Sequence, residues 1–189
     1  MNRFKYNKKT YSNNKLELLC VSRVTLSKGT KYLVEAMKSI KDLDIHLTFI
    51  GMPCDKEDIK IVNEMKALKN VTYIPNVPHI KINTYFEKSD VFILPSLIEG
   101  SALSIYEALA SGLPCIVTRN TGSVVRDKID GFIINEQSID EIIEKIIYCK
   151  NNPDVLSEFS IRARENANRH TWEKYSHNIE MFYKKVLKN

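Results

Sequence analysis

The chain has 189 residues, 43% hydrophobic and 27% charged, enough for one well-filled core and ordinary for a globular protein. Its 28 Lys and Arg against 23 Asp and Glu leave a net charge of +5, with much of the excess at the two ends (Arg3, Lys5, Lys8, Lys9 and Lys15; Lys184, Lys185 and Lys188). The remaining charges are interspersed rather than gathered on a basic face with aromatics, which argues against a nucleic-acid partner; basic ends aid solubility and could touch anionic lipid head groups.

Residues 1–14 are polar and aperiodic and read as a flexible lead-in or linker, followed by one domain over 15–189. Leu16–Val21 is the first strand candidate, and Gly29–Ile40 follows as a helix with Tyr32, Leu33, Ala36, Met37 and Ile40 at helical spacing. Ile45–Ile50 is the second strand, Asp55–Leu68 a charged helix with one apolar stripe, Val71–Ile74 the third strand and Ile80–Lys88 a short helix. Val91–Leu94 is an almost purely apolar strand, and Leu103–Ser111 is a helix stopped by Gly112. Cys115–Thr118 is the fifth strand, Ser123–Lys128 a short helix and Phe132–Ile134 the sixth strand. Ile139–Cys149, Asp154–Asn168 and Trp172–Leu187 close the chain as helices. Strands with continuous apolar character are buried on both faces. Alternating with helices, they predict an α/β, doubly wound, parallel six-stranded Rossmann-like sheet. Its ligands would bind along the rim formed by the loops after the strands.

Cys20, Cys54, Cys115 and Cys149 are widely spaced with no CxxC pair, which points to a reducing compartment and neither disulfides nor zinc. The N-terminal residues carry no apolar stretch of the signal-peptide kind, and no apolar run approaches the ~20 residues that cross a bilayer. The expected location is cytoplasmic, or peripheral at the cytoplasmic membrane face.

Three rim loops carry candidate chemistry. The first, Ser22 to Gly29, sets Arg23 and Lys28 just before a helix, where the unpaired N–H groups of a helix N-terminus attract anions. Arg offers a planar fork to phosphate oxygens and Lys a compact charge. There is no GxGxxG and no Walker pattern, which counts against a dehydrogenase, a methyltransferase or a P-loop protein. The second loop runs from Pro95 to Pro114. Glu99 ends the strand, Gly100-Ser101-Ala102 lets backbone N–H groups approach a phosphate, and Glu107 could accept hydrogen bonds from the vicinal hydroxyls of a ribose. Taken singly, Glu107 reads better as an exposed helical Glu and Glu99 as a first-turn carboxylate that complements the helix dipole. Together they favour a site, because Glu107 sits among Tyr106, Ala108, Leu109 and Ala110 in a helix that should be largely buried. The third loop, Thr118 to Ser123, has Gly122 for close backbone approach and Ser123 at a helix start; a plain turn fits it as well.

These residues resemble the C-terminal, donor-binding domain of glycosyltransferase family 4, retaining enzymes of the GT-B fold. The resemblance spans roughly residues 16–187. Glu99 through Pro114 is similar to the family's E-G-x-x-x-x-x-x-E-A-x-A-x-G-x-P signature, and Arg23 with Lys28-Gly29 to its G-R-x-x-x-x-K-G loop. Asp130-Gly131-Phe132 resembles the D-G-x-x-G turn, and Thr171-Trp172-Glu173 the start of the last helix, which in the family crosses toward the N-terminal domain. Ser123 stands where the family has a second Gly, Arg126 near its usual Glu, and Pro75 where a Gly is common; the D-G-x-x-G turn lacks its second Gly at Ile134.

The resemblance implies one half of a GT-B fold that binds a nucleotide-diphosphate sugar for retaining transfer to a glycan, lipid or other acceptor. In that reading Arg23 and Lys28 neutralise the diphosphate and the leaving nucleotide, and Glu99 contacts the donor sugar. Gly100, Ser101, Ala102 and Leu103 hold phosphate and sugar through their backbones, with Gly122 close by, and Glu107 bonds the ribose. No metal or other cofactor is implied. The family's acceptor-binding N-terminal domain is not among these residues, so the acceptor is expected to reach the site through a further domain or a partner chain. Activity alone would then be weak, and Trp172, Tyr175, Phe182 and Tyr183 would be exposed. Two alternatives stay open: a non-catalytic donor-binding subunit, and part of a GT-B epimerase acting on a UDP-sugar.

Overall fold

A computed structural model describes residues 4, 6, 9–12 and 14–187. The strands are β1 (Leu16–Val21), β2 (Ile45–Ile50), β3 (Val71–Ile74), β4 (Val91–Leu94), β5 (Cys115–Thr118) and β6 (Gly131–Ile134). The helices are α1 (Thr30–Ser39), α2 (Lys56–Ala67), α3 (Ile82–Lys88), α4 (Leu103–Ala110), α5 (Ile139–Asn151), α6 (Pro153–Ala167) and α7 (Trp172–Val186). These lie within two residues of the expected bounds.

Among the described residues the strands form one all-parallel sheet in the order β3-β2-β1-β4-β5-β6. Every residue of β4 and β5 is buried. Successive strand side chains point to opposite faces, so both faces of the sheet centre are covered. Each large apolar side chain buried this way stabilises by about 1.5–3 kcal/mol, which fixes the strand ends that carry the rim loops. The order reverses between β1 and β4. Loops leaving those two strands therefore diverge, and the crevice between them is the natural ligand position.

Local chemistry explains the helix ends. Asp55 caps α2 through Asp58 N (2.9 Å), and the Asp58 side chain returns the bond to Asp55 N (3.3 Å). Gly112 follows the α4 C-cap in the left-handed region, the expected stop.

Two segments differ from expectation. No helix forms over Ser123–Lys128. Asp130, fully buried, accepts from Arg126 N (2.7 Å), Arg126 Nε (2.6 Å) and Asn166 Nδ2 (2.9 Å), so the loop is held onto α6 by a carboxylate instead of by its own ladder. Lys128, with φ 59°, is left-handed, which a right-handed helix does not admit. The second difference lies in the lead-in, of which residues 1–3, 5, 7, 8 and 13 fall outside the described residues. Phe4 and Tyr11 are buried, Phe4 packs edge-on against Phe86 (5.5 Å), and Lys9 Nζ donates to the carbonyl oxygens of Ser89 and Phe86. Two isolated rings anchor a stretch whose pattern shows no period.

Candidate functional site

Three loops meet at the crevice, and backbone contacts stitch them together. The loop after β1 makes a 3-10 turn at Leu26–Lys28 and then Gly29, with φ 68°. A Cβ on Gly29 would lie 1.9 Å from the carbonyl oxygen of Pro95, so only glycine lets this loop close onto the loop after β4. Leu97 N then donates to Ser27 O (2.8 Å). From the other side Glu99 N donates to Asn120 O (2.9 Å), and a Cβ on Gly122 would lie 2.3 Å from Gly100 O. Gly122 thus backs the Gly100 turn at close range. Without a helix at Ser123, the expected second helix N-terminus facing an anion is not there.

This stitching brings Lys28 to Glu99. The lysine Nζ donates to Glu99 Oε1, with only 14% and 15% of the two side chains exposed. Burial, and then the charge of Arg23, holds the Lys28 ammonium below its ordinary pKa. Arg23 is exposed at the lip, its Nη1 3.9 Å from Cys54 Sγ on the loop after β2. Gly100 and Ser101 are exposed, and a Cβ on Gly100 would meet nothing within 4 Å. Ala102 is the N-cap of α4 and provides no side-chain cap, so the first N–H groups of α4, beginning at Leu103, remain for a ligand.

Glu107 lies on α4 with its side chain 16% exposed, which makes it a residue aimed into a cleft instead of a solvated helical Glu. Its Oε1 is 3.9 Å from Nε2 of His79, on the loop between β3 and α3. His79 went unnoticed in the sequence, where it is one exposed residue in a Pro-containing loop; only the strand order sets it beside α4. A cleft of about 420 Å³, lined by Ser22, Arg23, Gly51, Pro75, His79 and Glu107 among others, opens here. A second, of about 690 Å³, lies between α4 and the start of α7, with Tyr106, Glu107, Trp172 and Tyr175 in its wall. Among the described residues α7 buries none of its own; Trp172, Tyr175, Phe182 and Tyr183 are exposed, as expected. No helix is long and apolar enough to cross a membrane among the described residues.

Residues 2–169 match the family described as glycosyl transferases group 1. The chain belongs to this family. It is 30% identical to an uncharacterized glycosyltransferase of Haemophilus influenzae over 155 residues, which are 78% of this chain and 43% of that protein. It is 32% identical over 145 residues (71% of this chain, 36% of the other) to the UDP-Gal:alpha-D-GlcNAc-diphosphoundecaprenol alpha-1,3-galactosyltransferase of Escherichia coli. The crystal structure of a glycosyltransferase from Rickettsia africae ESF-5 superposes with a TM-score of 0.80 at 25% identity, covering 93% of this chain and 49% of that one. The chain thus spans less than half the length of the curated relatives it matches. The fold is the α/β, Rossmann-like sheet of GT-B glycosyltransferases, as expected for a group 1 member.

Proposed function

We propose that this group 1 domain is the donor side of a glycosyltransferase, binding a nucleoside-diphosphate sugar at the crevice between β1 and β4. The observation that carries the reading is the convergence there of two cations from the loop after β1 with two carboxylates and an uncapped helix N-terminus from the loop after β4 and helix α4. The nucleoside occupies the smaller cleft, with Glu107 accepting hydrogen bonds from the two ribose hydroxyls. The diphosphate lies between Arg23, Lys28 and the first N–H groups of α4, where Gly100 leaves open space. Glu99 faces the sugar. As the bond from sugar to phosphate breaks, negative charge grows on the leaving diphosphate, and Arg23 and Lys28 stabilise it there. No metal is needed in this account, because the two cations do the neutralising. The base is proposed to be uracil, by likeness to the relative whose name gives UDP-Gal as donor.

The acceptor belongs to the proposal too. It is a glycan or a lipid-linked sugar, as in the name of the same relative, presented by a further domain or a partner chain. The exposed aromatic residues of α7 support such a covering surface. In a donor-binding subunit without activity of its own, the same face would receive the partner. Calorimetric titration of the chain with UDP, GDP and ADP tests the reading: one of them should bind, and silence from all three counts against it.

A further inference from the structure

Lys28 and Glu99 lie 71 positions apart and meet across the crevice. Both side chains are mostly buried, and the pair stands where the diphosphate and the sugar are proposed to join. A diphosphate and a carboxylate are both anions seeking the same ammonium. One has to yield.

We infer that Glu99 is a built-in counter-ion that competes with the diphosphate for Lys28, and so makes nucleotide affinity depend on the attached sugar. The inference rests on the donor-binding reading. A free nucleoside diphosphate must take Lys28 from Glu99, leaving a largely buried carboxylate without its partner and next to added negative charge. Leaving one member of such a pair uncompensated is what makes its disruption costly. A nucleotide sugar imposes no such loss, because its ring hydroxyls donate to Glu99 while its phosphates take Lys28. The carboxylate exchanges one donor for others. Once the sugar has been transferred those donors are gone, Glu99 recaptures Lys28, and the leaving nucleotide is displaced. The pair therefore favours the donor over its own by-product at a single site. Arg23 takes no part in the exchange: its guanidinium contacts Cys54 Sγ and stays available to phosphate in either state.

The test compares wild type, Glu99→Gln and the double variant Glu99→Gln/Lys28→Met by calorimetry. UDP and UDP-galactose form one ligand pair, GDP and GDP-mannose the other. Wild type should bind the sugar conjugate more tightly than the free diphosphate. Glu99→Gln should bind the free diphosphate about tenfold more tightly than wild type, the size of one charge-assisted hydrogen bond released. It should bind the conjugate no better, so the preference collapses or inverts. Adding Lys28→Met should abolish the gain. A merely structural Glu99 would weaken both ligands alike. Glu99→Ala replaces Glu99→Gln if the latter melts early. If wild type binds a diphosphate and Glu99→Gln binds it equally or less well, the counter-ion inference is overturned while donor binding stands. If neither protein binds any of the four ligands or ADP, the donor reading fails and takes the inference with it.

Discussion

Alanine at Gly29 should unfold the rim, whereas alanine at Gly100 should leave the fold intact and disturb only the ligand. Gly29 has φ 68°, and its added Cβ would sit 1.9 Å from Pro95 O and 2.7 Å from Pro95 C, both backbone atoms. The left-handed conformation costs a non-glycine residue roughly 1–2 kcal/mol. Parting two packed loops to admit the methyl adds about 1–3 kcal/mol. A total of about 2–5 kcal/mol is a large share of the roughly 5–15 kcal/mol that holds a domain folded. For this chain length it lowers the melting temperature by about 4–20 °C. At Gly100 nothing lies within 4 Å of the added Cβ and the backbone is not left-handed, so stability should change by less than about 0.5 kcal/mol. The methyl there would instead enter the space proposed for the phosphates, weakening nucleotide binding. Paired thermal melts and urea titrations of the two variants, with nucleotide titration of Gly100→Ala, decide the matter. Equal melting of Gly29→Ala and wild type would refute the steric argument. A Gly100→Ala variant that melts as low as Gly29→Ala would show that both glycines serve the fold.

Asp130→Ala should destabilise by about 2–4 kcal/mol in urea unfolding, because it strips the Arg126–Asn166 anchor of its buried acceptor; Arg126 is partly exposed, which trims the cost. Lys9 gives a pH signature, since burial pushes its pKa down from 10.5 to about 8. Between those two values the unfolded chain binds more protons than the folded one, so this residue adds stability as pH rises from about 8 toward 10.5. Subtracting the melting profile of Lys9→Met from that of wild type should show that rise, and a flat difference would contradict the half-buried position of Lys9. EDTA should leave nucleotide-sugar affinity unchanged; a loss restored by Mg²⁺ would mean that Arg23 and Lys28 do not suffice for the diphosphate.

Much of the architecture is legible in the sequence because the central strands are apolar without interruption: Val91–Leu94 and Cys115–Thr118 can only be buried on both faces. From there the alternation with helices gives the parallel sheet, and the sheet gives the rim. The positions proposed for the donor site, Arg23, Lys28, Glu99 and Glu107, can be singled out in the sequence because they fall on loops after strands or on the helix that follows one. Their partnerships are not. Nothing local to Lys28 announces Glu99, and nothing in the β3–α3 loop announces that His79 faces Glu107; strand order sets both contacts. The stretch Ser123–Lys128 misleads for a related reason. Its composition permits a helix, and a carboxylate beyond its end, Asp130, captures Arg126 and holds it as a loop. Phe4 and Tyr11 are buried one by one, and a periodicity argument is blind to single anchors.

The central claim is that one nucleoside-diphosphate site is assembled from the loops after β1 and β4 and from helix α4. Its most direct test is calorimetry of UDP, GDP and ADP against wild type, Arg23→Ala and Glu107→Ala, with melting curves to confirm that all three proteins are folded. The account predicts that one nucleotide binds, and that each substitution weakens it about tenfold or more without lowering the melting temperature. A nucleotide that binds with the same affinity to all three folded proteins would contradict it.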